Sequence, residues 1–181
     1  MMKNKFFLTV LLGIGLVSFT AKAQENNGFH VAADLNFGVG VAADSGETDS
    51  DTGVGVSLRV GYQLTDEWIG MLDLFTTGYS KNDVNTSNNG FMLAGQYYLQ
   101  DNAYIRPSIG LSKIKFKTDV LGTSVSAETD LGLALGFAGG YEFPVNEFLV
   151  AGPTARVIYN NIADGGTFWN FSVGAEIKAT F

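Results

Sequence analysis

The chain has no cysteine in its 181 residues, which removes disulfide frames, thiolate metal sites and cysteine nucleophiles together. Proline is scarce, at three residues, and the 23 glycines lie inside alternating segments instead of gathering as linkers. Basic residues are also short, 11 against 18 acidic ones. Beyond the N-terminal segment, nothing approaches the roughly 18 uninterrupted apolar residues that a membrane helix needs. If the protein enters a membrane, it must do so as strands.

The N-terminus has the layout of a secretory signal. Met1 to Lys5 is basic, and residues 6–19 are apolar apart from Thr9, Gly13, Gly15 and Ser18. Ala21-Lys22-Ala23 then offers small residues where a signal peptidase inspects the chain, which predicts a signal peptide over 1–23 and cleavage before Gln24. The run is too short and too interrupted for an anchor. Cleavage would remove Lys3, Lys5 and Lys22 and no acid, leaving 8 bases against 18 acids, a net charge of −10. That balance excludes nucleic acid as a partner, since phosphate recognition needs a basic stripe. Residues 24–181 suit one domain.

From residue 28 the apolar period is two, not 3.6. Eight strands are expected, over 28–41, 53–64, 68–80, 89–99, 103–117, 129–143, 148–159 and 167–181. Tight turns at 65–67, 100–102 and 144–147 alternate with longer polar loops at 42–52, 81–88, 118–128 and 160–166. Short turns on one rim and long loops on the other predict an all-β fold: an eight-stranded antiparallel up-and-down transmembrane barrel. The segment 113–128 also has strand character, and can extend past the bilayer as a hairpin turning near 121–123.

Parity decides which face is inside. One face of the strands collects Leu35, Phe37, Val56, Leu58, Leu72, Leu74, Leu93, Ile109, Leu133, Leu135, Val173 and Ile177, with no charge among them. The opposite face collects Asp34, Asp73, Glu142 and Glu176 with Arg59, Arg106, Arg156 and Lys178, interleaved with glycines such as Gly132, Gly136 and Gly140. A soluble barrel would put the greasy face inside. Small residues then gain nothing outside, whereas a tight eight-stranded bore needs them. Four acids and four bases match what a buried ion-pair network requires, because an isolated buried charge is costly. An Arg or Lys at the lipid midplane would cost ~2–4 kcal/mol. The inverted arrangement is expected.

Aromatic residues gather at strand ends. Tyr62, Trp68, Tyr97, Tyr104, Tyr141, Phe143, Phe148 and Phe181 lie beside the short turns, and Phe37, Tyr79, Phe91, Tyr159, Phe168 and Trp169 near the loops. Two girdles mark the interfaces of a bilayer. With the signal segment, the eight strands, the girdles and the terminal Phe181, the chain resembles the small outer-membrane β-barrel proteins of Gram-negative bacteria, of the OmpA-transmembrane and OmpX-like kind. The resemblance implies a bacterial outer-membrane location. It also implies that the last strand, through Phe171, Val173, Ile177 and Phe181, is the signal read by the barrel-assembly machinery. OmpA-type proteins continue into a peptidoglycan-binding domain; this sequence ends at the barrel, so cell-wall anchoring is not expected.

Sites of chemistry are few. The lone His30 opens the first strand, and Ser57, Ser108, Ser112 and Ser172 scatter along the bore, which does not make a nucleophile–base pair. The acidic run at 44–51 lacks the ligand spacing of a calcium loop. No catalytic residue, cofactor or metal is expected. Lys113, Lys115 and Lys117 continue the outward parity of the fifth strand past Leu111, where lipopolysaccharide phosphates would lie. The expected role is therefore a monomeric, non-enzymatic barrel with a structural or surface-interaction function. Its partners would be outer-membrane lipid, lipopolysaccharide, the assembly machinery and a protein at the extracellular loops. The alternatives are a narrow channel, with glycine gaps in the bore, a lipid-modifying enzyme, and a soluble lipocalin-like binder.

Overall fold

The structure, a computed structural model, describes residues 28–44, 47–81, 84–100, 102–120, 123–161 and 166–181. The expected signal segment lies outside these residues. Ten strand segments follow in order: β1 (Phe29–Asp44), β2 (Glu47–Gln63), β3 (Trp68–Lys81), β4 (Val84–Gln100), β5 (Ala103–Val120), β6 (Thr123–Glu128), β7 (Gly132–Tyr141), β8 (Phe143–Asn146), β9 (Leu149–Asn161) and β10 (Thr167–Thr180). They make eight staves, because β6, β7 and β8 follow one another along a single one. β6 pairs the loop-side part of β5, β7 bridges β5 and β9, and β8 pairs the start of β9. Every pairing is antiparallel and β10 pairs β1, so the barrel is closed.

Closure fixes the tilt. Stepping sideways from Val31 through the paired residues Val60, Leu72, Leu93, Ile109, Leu135, Tyr159 and Trp169 returns to β1 at Val41. The circuit climbs ten residues, from 31 to 41, over eight staves. With strands ~4.8 Å apart and ~3.3 Å of rise per residue, that shear gives a tilt of about 40°. Each residue on the circuit has the outward parity.

The inverted arrangement is what the structure shows. Leu35, Leu58, Leu74, Leu93, Leu133 and Phe137 are exposed on the outer wall, while Arg59, Asp73, Arg106 and Glu176 are buried in the bore. Trp68 packs on Tyr97 at the turn end, and Trp169 packs on Tyr159 at the loop end, both at 4.8 Å between ring centroids. Three expected girdle members do not belong there. Tyr79, Tyr104 and Phe168 are buried inside. Height along the strand suggested a rim, but their parity is that of Asp73, Arg106 and Asn170, and parity prevails.

On the loop side the strands run longer than expected and the loops are correspondingly shorter. β1 and β2 stay paired to Asp44↔Glu47, and β3 and β4 to Lys81↔Val84. The stretches read as loops at 42–52, 81–88 and 118–128 are therefore mostly hairpin strand. Polar composition marked them as loops, yet backbone pairing continues beyond the bilayer whatever the side chains are. Residues 45–46, 82–83, 121–122 and 162–165 lie outside the described residues. At the turn end, Thr65 Oγ1 accepts from the Trp68 amide at 3.1 Å, closing the turn at 65–67. The turn read at 144–147 moves: Phe143–Asn146 is strand, and the chain reverses just after it. The sixth stave breaks at Glu142, between the pairs Gly140↔Thr154 and Phe143↔Ala151, and Pro153, next to Thr154 on β9, has no N–H to give to the ladder.

Candidate functional site: the bore and the loop-side lysines

Register brings the eight ionised residues of the bore together. Asp34 faces Glu176 across the β1–β10 seam, and Arg59 faces Asp73 across β2–β3. Arg59 Nη1 forms ion pairs with Asp34 at 2.7 Å and Asp73 at 3.8 Å, and its Nη2 donates to Glu176 at 2.7 Å. Arg106 Nη2 donates to the same Glu176 at 2.8 Å, so two guanidiniums hold one carboxylate. Arg106 also donates to Gln96 Oε1 at 2.7 Å, and Gln96 Nε2 donates to Glu142 at 3.0 Å. Lys178 Nζ closes that end on Glu142 at 2.7 Å. At the other end Arg156 donates to Asp73 and to Ser57 Oγ, both at 2.8 Å.

The result is one connected web of four acids and four bases. Two tyrosines extend it: Tyr98 donates to Glu142 at 2.9 Å and Tyr104 to Glu176 at 3.1 Å. Lys178 also donates to the Tyr98 hydroxyl. The Arg59 side chain keeps 1% of its surface, so its charge depends on these partners and not on water. Gln96, Tyr98 and Tyr104 are missing from the sequence-based set. Even-numbered parity on β4 puts Gln96 and Tyr98 in the bore, but neither carries a charge, so charge balance does not single them out.

Further along β3 the bore changes character residue by residue. After Asp73 comes Phe75, packed with Met92, Ala134 and Ile158 in an apolar layer. Arg156 lies over the Phe75 ring at 5.0 Å, so the web abuts this layer directly. Thr77 follows, accepting from Asn170 at 3.0 Å, while Ser112 donates to Asn160 at 2.6 Å. Tyr79 then packs edge-on against Phe168 at 5.5 Å, with Ile114 beside them. Charge, hydrocarbon, amides and aromatics thus fill the bore in turn. Gly136 and Gly140 do not leave gaps in it. A Cβ on Gly136 would sit 2.3 Å from Ser108 Oγ, and one on Gly140 2.5 Å from the Tyr104 hydroxyl. Larger neighbours occupy the space that those glycines yield.

His30 lies inside the turn end, its Nδ1 3.0 Å from Thr180 Oγ1. Phe171, Val173 and Ile177 point outward from β10. The Phe181 amide donates to the Phe29 carbonyl at 2.9 Å, and the two rings lie 6.3 Å apart, across the seam. In the acidic run at 44–51, the Ser50 amide donates to Asp49 Oδ1 at 2.9 Å. Among the described residues no group of three His, Cys, Asp or Glu is placed to hold a metal.

Outside the bore, the β5–β6 hairpin turns Lys113 and Lys115 onto one carboxylate. Their Nζ atoms donate to Glu128 at 2.9 and 2.6 Å. The hydrogen bond from Lys115, then that from Lys113, lowers the exposed Glu128 carboxyl to a pKa of about 2. Lys117 is opposite Ser126 on one side and Asn85 on the other. The hairpin carries three lysines and two acids, Asp119 and Glu128, of which Glu128 is held by Lys113 and Lys115.

The model of the outer membrane protein beta-barrel domain matches residues 9–178. No match among curated proteins reaches significance. Among solved structures, neisserial surface protein A superposes with a TM-score of 0.57 at 18% identity, over 85% of this chain and 97% of that one. The attachment invasion locus protein Ail of Yersinia pestis gives 0.55 at 15% identity, over 81% and 97%. The N-terminal barrel of Pseudomonas aeruginosa OprF gives 0.56 at 15% identity, over 84% and 98%. At such identities the likeness is one of fold. Together with a closed barrel that wears its apolar face outside, the match over most of the length places this chain in the outer membrane protein beta-barrel domain family.

Proposed function

We propose that the protein is a non-enzymatic outer-membrane barrel with a structural or surface-interaction role, and with a bore that does not conduct. The observation that carries this reading is the continuous filling of the bore. The ion-pair web from Arg156 to Lys178 is followed by the Phe75–Met92–Ala134–Ile158 layer and then by Tyr79 and Phe168. A permeating ion would have to break several buried pairs and then cross hydrocarbon, and both steps are costly. The channel alternative drew on Gly132, Gly136 and Gly140, and the filled spaces beside Gly136 and Gly140 weigh against it.

The non-catalytic reading is supported by His30, whose ring meets Thr180 at the turn end. Export by cleavage of residues 1–23, and recognition of Phe171, Val173, Ile177 and Phe181 by the assembly machinery, belong to the same proposal. Planar-bilayer recording of the purified, heat-modifiable protein is the test. The expected outcome is a silent bilayer. Stepwise conductance from the wild-type protein would establish the channel instead, and altered lipid A acylation on overexpression would establish an enzyme.

A further inference from the structure

Between the Phe75 layer and the Tyr79–Phe168 pair lie amides and hydroxyls that the ion-pair web barely uses. Thr77 is at their centre. It is opposite Asn88 across the β3–β4 ladder and opposite Gly55 across β2–β3, and Gly55 is opposite Asn36 across β1–β2. A Cβ on Gly55 would sit 2.4 Å from Asn36 Oδ1 and 2.9 Å from Thr77 Oγ1, so those two oxygens converge on one point. From β10, Asn170 reaches the same Thr77 Oγ1, donating at 3.0 Å. All four side chains are buried, and Asn88 is wholly enclosed.

The layer holds more acceptors than its donors serve. Among the described residues, Asn36 Oδ1, Asn170 Oδ1 and both amide atoms of Asn88 have no hydrogen-bond partner, and neither has the Tyr79 hydroxyl. The Asn36 amide nitrogen is spent on Asp34 at 2.8 Å, and that of Asn170 on Thr77. Three carbonyl oxygens therefore stand against one amide nitrogen and one hydroxyl. Ser112 and Asn160 show the contrast at the same height. Ser112 donates to Asn160 Oδ1, and Asn160 donates to the Phe168 carbonyl at 3.0 Å, so that pair is satisfied within the protein. Buried amides left without partners are costly unless something else supplies them.

We propose that this layer binds one monovalent alkali cation, held by the carbonyl oxygens of Asn36, Asn88 and Asn170 and by Thr77 Oγ1. Neutral carbonyl oxygens are the ligands that replace the hydration shell of such an ion. A divalent ion is a poor match, because none of the four side chains is a carboxylate to offset its dehydration. The surplus of oxygens turns an anion away. The approach to the layer also favours positive charge. Asp49 and Asp51 continue the bore parity of β2 toward the loops, and Asp51 is opposite Gly40, where a Cβ would touch the Tyr79 and Phe168 rings. Acids at that mouth concentrate cations over neutral solutes. On the other side of the layer Phe75, Met92, Ala134 and Ile158 close the bore, so the site is a dead end and not a pathway.

The test uses the full-length protein, folded in neutral detergent. Anomalous scattering from crystals soaked in rubidium chloride should place a peak among Asn36, Thr77, Asn88 and Asn170. Thermal unfolding is then followed at fixed ionic strength. Exchanging choline chloride for potassium or sodium chloride should raise the midpoint by about 4 °C, because an ion held only by the folded state stabilises it by mass action. Choline is too large for a close-packed bore. Asn88→Leu keeps the volume and removes the amide. It should lose the alkali-specific rise while matching or exceeding the wild-type midpoint in choline, whereas a purely structural residue would show one deficit in every salt. If that variant does not fold, Thr77→Val carries the same expectation. Neither readout involves conductance, so the closed-bore reading stands or falls separately. Water alone in the layer of rubidium-soaked crystals, or one wild-type midpoint in choline, potassium and sodium chloride, would overturn the proposal.

Discussion

Arg59 is the side chain on which the bore turns. It touches Asp34, Asp73 and Glu176 and has almost no surface left. Replacing it with methionine keeps the volume and strands those carboxylates, so Arg59→Met should cost about 3–5 kcal/mol. Urea unfolding in detergent, followed by the heat-modifiable gel shift, checks this, and a loss under ~1 kcal/mol would mean that water reaches the web. Glu128 is the contrasting case, paired but exposed. Its pKa is lowered to about 2, so its contribution to the hairpin is fully present above the ordinary carboxylate range. That contribution declines progressively as pH falls below the ordinary carboxylate range and is gone once pH is below about 2. Carbon-detected NMR titration should find Glu128 still ionised at pH 4, and a midpoint near 4.5 would show that Lys113 and Lys115 do not hold it.

At the scale of the strand, period-two alternation did most of the specifying. It told the staves apart from helices and put Asp34, Arg59, Asp73, Arg106, Glu142, Arg156, Glu176 and Lys178 on one face. It could not say who would meet whom. Asp34 faces Glu176, a like-charge pair, and the arrangement survives only because Arg59 reaches both. That follows from shear, a property of the closed circuit that no single strand displays. The ends of strands were the least legible, since Thr48, Ser50 and Thr52 look like loop residues but belong to β2. The break in the sixth stave makes its own prediction. A Cβ on Gly152 would lie 1.7 Å from the Tyr141 carbonyl oxygen, in a place where backbone has to yield. Gly152→Ala should therefore cost about 1–3 kcal/mol, whereas Gly78→Ala should be neutral, by the same unfolding assay.

For the whole molecule, the barrel is a soluble fold turned inside out. The bore is held by ion pairs, amides and a few apolar contacts, and lipid is asked to cover the leucines, valines and aromatics. Isoleucine reports on both sides without any substitution. Ile109 and Ile177 are exposed on the outer wall, while Ile69, Ile114 and Ile158 are buried in the bore. The decisive measurement is the set of nuclear Overhauser contacts between isoleucine δ1 methyls and lipid acyl chains, in nanodiscs with a deuterated protein background. Strong acyl contacts are expected from Ile109 and Ile177, and none from Ile69, Ile114 and Ile158. Acyl contacts to the second group, with Ile109 and Ile177 silent, would contradict the inverted barrel outright.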